Sequence, residues 1–132
     1  MNSALPKVLH PLCGVPLLTR VLKTVTALKP FSIGVVVGQG AEEVTKEIGG
    51  ANGVHLIRQK LQKGSGNAVQ CAAPWIRGLI LKSPHLMVLC GDTPLISEET
   101  LLAFHHYHLR HKNSATIQIG RASCRERVYV LV

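Results

Sequence analysis

Residues 85–95 read HLMVLCGDTPL. The run His85–Leu89 is short, mostly apolar and without polar alternation, as a strand buried on both faces would be. It passes straight into Cys90-Gly91-Asp92, so an acid projects from the strand's carboxyl end. Ile33–Val37 (IGVVV) is a second such run, and Val54–Ile57 is a weaker third. The fold follows from what separates them.

Between the strands the pattern is helical. Pro16–Leu28 (PLLTRVLKTVTAL) carries apolar residues at 17, 18, 21, 22, 25 and 28, with a proline at its first turn. Gly38-Gln39-Gly40 turns the second strand into AEEVTKEI (41–48), whose acids sit at the N-terminal end, as the helix macrodipole prefers. Gly64–Asn67 leads into AVQCAAPWIRGL (68–79), where Pro74 predicts a kink or break. SEETLLAFHHYHLRHK (97–112) predicts a helix capped by Ser97. Ser114–Gln118 reads as the start of another strand. Strands alternating with helices predict an α/β protein with a doubly wound, mostly parallel, Rossmann-like sheet. Ligands of such sheets bind at the carboxyl ends of the strands. That rule selects the Gly38–Gly40 turn, the segment QKLQKGSGNA (59–68) and Cys90–Asp92.

The 132 residues are one domain's worth, and 46% hydrophobic content does not indicate disorder. No apolar run approaches the roughly 20 residues of a membrane span. Lys7, His10 and three early prolines argue against a secretory signal. Cys13, Cys71, Cys90 and Cys124 show no zinc or C-x-x-C spacing, which fits reduced thiols in a cytoplasmic protein. The formal charge is +8. Three of the fifteen basic and one of the seven acidic residues lie in 119–132, leaving a surplus of six elsewhere. That balance suits phosphorylated small molecules as well as nucleic acid. Without a basic block or interleaved aromatics, neither a nucleic-acid nor a membrane partner is expected. Residues 119–128, IGRASCRERV, look like a translated sequencing adapter, so 119–132 is expected to be a non-native tail on a partial domain of residues 1–118.

Several motifs carry chemistry. Gly64-Ser65-Gly66 stands before a helix, where backbone N–H groups and the helix dipole can hold an anion or a base edge. A flexible helix entry is the competing reading, and no G-K-[ST] follows to make a Walker A loop. Gln59, Gln62 and Lys63 add donors and charge to the same mouth. Asp92 offers a hard oxygen ligand for Mg²⁺ bridging substrate phosphates, or else a turn former. His105, His106, His108 and His111 have i,i+3 spacings, yet no carboxylate or cysteine joins them, and a solvated helix face is the preferred reading. Trp75 belongs to the core or its rim. Pro6 and Pro11 predict an extended loop that holds Lys7, whose ammonium needs an anionic partner and suits phosphate.

Four stretches, LPKVLHPLCGVPLL (5–18), VVVGQGAEEV (35–44), RQKLQKGSGNAV (58–69) and MVLCGDTPLISEETL (87–101), follow one another in a telling order and spacing. Together they resemble the sugar-phosphate nucleotidyltransferases, and within them the uridylyltransferase domain of bacterial UDP-N-acetylglucosamine pyrophosphorylases. The resemblance covers residues 1 to about 118. It implies transfer of UMP from UTP to N-acetylglucosamine 1-phosphate with release of pyrophosphate, in the cytoplasm, for cell-envelope polysaccharides. It implies Mg²⁺ as cofactor, bound by Asp92. Lys7 would meet the phosphates, Gln59 the uracil, Gly64 and Ser65 the base pocket, and Cys90, Gly91 and Asp92 the nucleoside. Three residues depart from the family pattern: Lys63 for an apolar residue, Asn67 for His, and Cys90 for Tyr.

The family also carries a strand and a glycine-rich loop just ahead of the motif that begins at Leu5. A sugar-binding half follows it, sometimes with an acetyltransferase β-helix that would make the parent a homotrimer. The chain by itself is therefore expected to be inactive. Two rival expectations are a related enzyme for another sugar or polyol phosphate, and a non-catalytic nucleotide- or nucleic-acid-binding module.

Overall fold

A computed structural model describes residues 5–49, 53–61, 63–118 and 129–131. Cys124 and most of the expected adapter tail fall outside them. The described chain opens with a single 3₁₀ turn, Lys7–Leu9, rather than the extended loop expected there. Pro6 supplies only the extended entry, and its carbonyl accepts the Leu9 N–H. A two-residue hairpin follows, β1 (Pro11–Leu12) against β2 (Val15–Pro16). Its corner, Cys13-Gly14, has positive φ at both positions (50° and 78°), the twist that suits a tight two-residue turn. Arg20 donates from Nε and Nη2 to the Leu12 carbonyl at 3.0 and 2.7 Å, pinning this ribbon to α1 (Leu17–Ala27).

The remaining elements are β3 (Ile33–Val37), α2 (Ala41–Ile48), β4 (Val54–Arg58), α3 (Ser65–Leu79), β5 (Val88–Cys90), α4 (Glu98–Arg110) and β6 (Tyr129–Leu131). The sheet runs in the order β4-β3-β6-β5. β3 and β4 pair in parallel, whereas β6 lies antiparallel to both β3 and β5. β3 and β5 therefore point the same way, as a doubly wound sheet requires, with one reversed strand between them.

Strand alternation divides the core. Ile33, Val35 and Val37 join Val8, Leu18, Val21, Val25, Val44, Leu89 and Leu101 on the face covered by α1, α2 and α4. Val36 joins Ala68 and Ala72 beneath α3 on the other face, with Trp75 at the rim. Every residue of β3 is buried, and removing one such valine from water contributes about 1.5–2 kcal/mol. Gly34 permits that packing: a Cβ there would lie 2.8 Å from the Trp75 ring.

Four expectations need correction. Pro74 does not break α3, which runs unbroken through it. Pro74 and Gln70 both lie on the exposed side, so the carbonyl that loses its N–H partner faces solvent rather than the core. The same helix starts at Ser65, so Ser65–Asn67 form its first turn rather than an approach to it. The strand expected at His85–Leu89 is shorter and later, Val88–Cys90, the segment that meets a pairing partner among the described residues. Residues 115–118 form no strand: Thr116 instead serves α4, accepting from Asn113 Nδ2 at 3.1 Å and lying 2.9 Å from His108 Nδ1.

Candidate active site

The carboxyl ends of β3, β4 and β5 share one end of the sheet, and the residues singled out by sequence lie there. After β5, Thr93 Oγ1 donates to the Cys90 carbonyl at 2.8 Å, closing a turn that presents Asp92. Gly91 is buried, and the Asp92 side chain is 8% exposed. Lys7 reaches it from the 3₁₀ turn: Nζ donates to Oδ2 at 2.7 Å, although the lysine side chain is 61% exposed. Two residues 85 positions apart thus meet as an ion pair. Pro6 packs over Gly40, so the same turn also covers the β3–α2 corner. Gly40 itself has φ 76°, a conformation that glycine adopts without strain.

Gln59, directly after β4, is 3% exposed. Its N–H donates to the Val37 carbonyl at 2.7 Å, extending the β3–β4 ladder by one residue. Its Nε2 donates to Asn67 Oδ1 at 2.8 Å and weakly to the Gly64 carbonyl at 3.4 Å. The residue that sequence assigned to a base contact therefore also ties the GSG turn and the first turn of α3 to the sheet. Asn67 was visible only as a departure from the family pattern, and its partnership with Gln59 was missed. A glutamine closing a predicted strand, eight residues ahead of an asparagine near a predicted helix start, was the available signal.

Gly64 has φ 95°, and a Cβ there would meet nothing within 4 Å. The turn is thus open toward solvent and accessible to a ligand. Ser65 and Gly66 are exposed beside it, where the first N–H groups of a 15-residue helix lie.

The chemistry of the donor set suits Mg²⁺ held by one carboxylate together with substrate phosphates. Asp92 offers a carboxylate at this mouth, where it pairs with Lys7, and no group of three metal-ligating residues exists among those described. The histidine group is only partly the solvated face expected. His106 and His111 are exposed, but His105 and His108 are half-buried and face His85 edge-on, with ring centroids 6.0 and 5.6 Å away. Burial, reinforced by His85, His106 and His108, holds the His105 imidazole below its ordinary value of about 6.5. Cys13 and Cys71 are free thiols. Among the described residues no helix is long and apolar enough to cross a membrane.

Comparison with known proteins gives the family. Residues 1–128 match the family model of the MobA-like NTP transferase domain. The chain is 43% identical over 122 residues to "Bifunctional protein GlmU" of Streptococcus equi subsp. zooepidemicus, covering 92% of this chain and 25% of that protein. It is 50% identical over 101 residues to the protein of the same name from Cupriavidus metallidurans, covering 76% and 21%. The Streptococcus sanguinis protein of that name is 39% identical over 122 residues, covering 92% and 26%. The chain spans about a quarter of the length of these relatives. With its site at the strand carboxyl ends and a match over nearly its whole length, the chain belongs to the MobA-like NTP transferase domain family, the α/β nucleotidyltransferases.

Proposed function

We propose that this chain is the nucleotide-binding part of a UDP-N-acetylglucosamine pyrophosphorylase, acting in the cytoplasm on UTP and N-acetylglucosamine 1-phosphate. The observation that carries the proposal is the Lys7–Asp92 pair, an ammonium and a carboxylate held at 2.7 Å at the mouth of the sheet. In the reaction the phosphate of the sugar attacks the α-phosphorus of UTP in line, and pyrophosphate leaves. Such chemistry asks for positioning and charge neutralisation rather than a covalent intermediate. Lys7, largely exposed, could swing from Asp92 to a phosphate oxygen if a metal ion took its place beside the nearly buried carboxylate. Asp92 would hold Mg²⁺, which supplies neutralisation of the charge building on the leaving pyrophosphate. The open Gly64–Ser65 turn, held by Gln59 and Asn67, supplies donors to the base.

The test is pyrophosphate release by the chain joined to the flanking segments of a full-length relative, with UTP, N-acetylglucosamine 1-phosphate and Mg²⁺. Asp92→Asn should keep the fold and cost at least ~100-fold in Mg²⁺-dependent turnover. Gly64→Val should raise the KM for UTP more than that for the sugar phosphate. An Asn variant as active as its parent with unchanged Mg²⁺ dependence removes Asp92 from the mechanism. A parent that uses another nucleotide or another sugar or polyol phosphate instead reassigns the substrates.

A further inference from the structure

On the face of β4 opposite Gln59 lies a second concavity, between that strand and α2. Its volume is about 380 Å³, within the range of small-ligand sites. Val37 and Leu56 form an apolar floor, and Lys46 and Arg58 line it from α2 and from the end of β4. Neither cation has an ion-pair partner among the described residues, where Lys7–Asp92 is the one pair present. Glu42 is the single carboxylate of the lining, so the cleft carries a net positive charge. Thr45 Oγ1 spends its proton on the Ala41 carbonyl at 2.6 Å and offers an anion no donor. Anion binding there therefore falls to Arg58 and Lys46. A guanidinium and an ammonium beside an apolar floor match a phosphate ester with a compact apolar body, with Arg58 able to grip two oxygens at once.

We infer that the α2–β4 cleft is a binding site for a small phosphomonoester, separate from the mouth formed by Lys7, Asp92 and Gly64. Alternation along the strand gives it a link to that mouth. Arg58 turns to the cleft while the next residue, Gln59, turns to α3. The Gln59 N–H is bonded to the carbonyl of Val37, which lines the cleft. A ligand drawing on Arg58 and resting on Val37 thus acts on both ends of the bond that seats Gln59.

The experiment titrates phenyl phosphate, inorganic phosphate and phenol into the full chain and follows backbone amide shifts. Phenyl phosphate should give saturable shifts at Thr45, Lys46 and Arg58, with a smaller shift at Gln59. Inorganic phosphate should bind more weakly at the same amides, and phenol should leave them unmoved. Arg58→Gln and Lys46→Gln should each weaken phenyl phosphate about tenfold, the loss of one charge-assisted contact. Glu42→Gln should tighten it, and Lys7→Gln should leave it unchanged. Lys46 is exposed on α2, so its substitution keeps the test open if the strand variant fails to fold. Shifts confined to the Lys7–Asp92 mouth, equal binding by phenol, or an affinity indifferent to Lys46→Gln would overturn the site. None of these outcomes bears on UTP turnover.

Discussion

A double-mutant cycle on Lys7 and Asp92, with Lys7→Met and Asp92→Asn, measures how firmly the two halves of the site are joined. At 2.7 Å the Coulomb attraction runs from about 1.5 kcal/mol at the dielectric constant of water to about 6 kcal/mol at an effective constant of 20. The 61% exposure of Lys7 pulls the value toward the lower end, and ordering its side chain costs up to ~2 kcal/mol. The nearly buried carboxylate pulls the other way, since any cation near it is poorly screened from that side. The coupling should therefore be about 1 kcal/mol, at the top of the range for surface pairs and well below that for buried ones. Urea unfolding of the four variants gives this quantity directly, free of the other contacts each residue makes. Repeating the cycle at 1 M salt, where the Debye length falls to about 3 Å, should shrink it. A coupling below ~0.3 kcal/mol in low salt would refute the reasoning. The pair would then be an incidental approach of an exposed lysine to a fixed carboxylate.

Three further outcomes are expected. Gln59→Leu removes the donor that serves Asn67 and should destabilise the chain by about 1–2 kcal/mol, read by urea unfolding, while Asn67→Asp, which keeps an acceptor, should cost less. Gly34→Ala sets a methyl 2.8 Å from the Trp75 ring and should cost about 1–3 kcal/mol, with altered tryptophan fluorescence; an unchanged spectrum and midpoint would contradict the packing of α3 on β3. Because the folded state holds the His105 imidazole below its ordinary value of about 6.5, the unfolded chain binds protons more readily across that window. The associated stability is fully present above about pH 6.5 and lost as pH falls through the folded value, so Tm should drop on acidification and drop less in His105→Gln.

Much of this was legible in the sequence wherever local pattern and tertiary demand coincide. Ile33–Val37 could be read as a doubly buried strand because nothing in it is polar, and Ser97 as a cap because its hydroxyl does accept the Thr100 N–H, at 3.2 Å. Lys7 does meet an anion, but not for the burial cost expected: the lysine is 61% exposed and it is Asp92 that is nearly buried, an approach that depends on the whole intervening chain. His85–Met87 carry the composition of a strand but meet no neighbouring strand among the described residues, a fact about the sheet rather than the segment. The inward turn of Gln59 depends in the same way on where α3 begins.

The reversed strand β6 also bears on the order in which this chain can fold. β3 and β4 can zip together once their short connection is made, and α2 can dock at once. Among the described residues β5 pairs only with β6, and β6 comes after everything else described. Among the described residues, β3 and β5 therefore wait during synthesis with open backbone edges, across a gap that Tyr129–Leu131 close. Such late, long-range pairing slows folding and leaves sticky edges in the meantime. A nascent chain of this sequence should depend on chaperones in proportion to how long Tyr129–Leu131 are delayed.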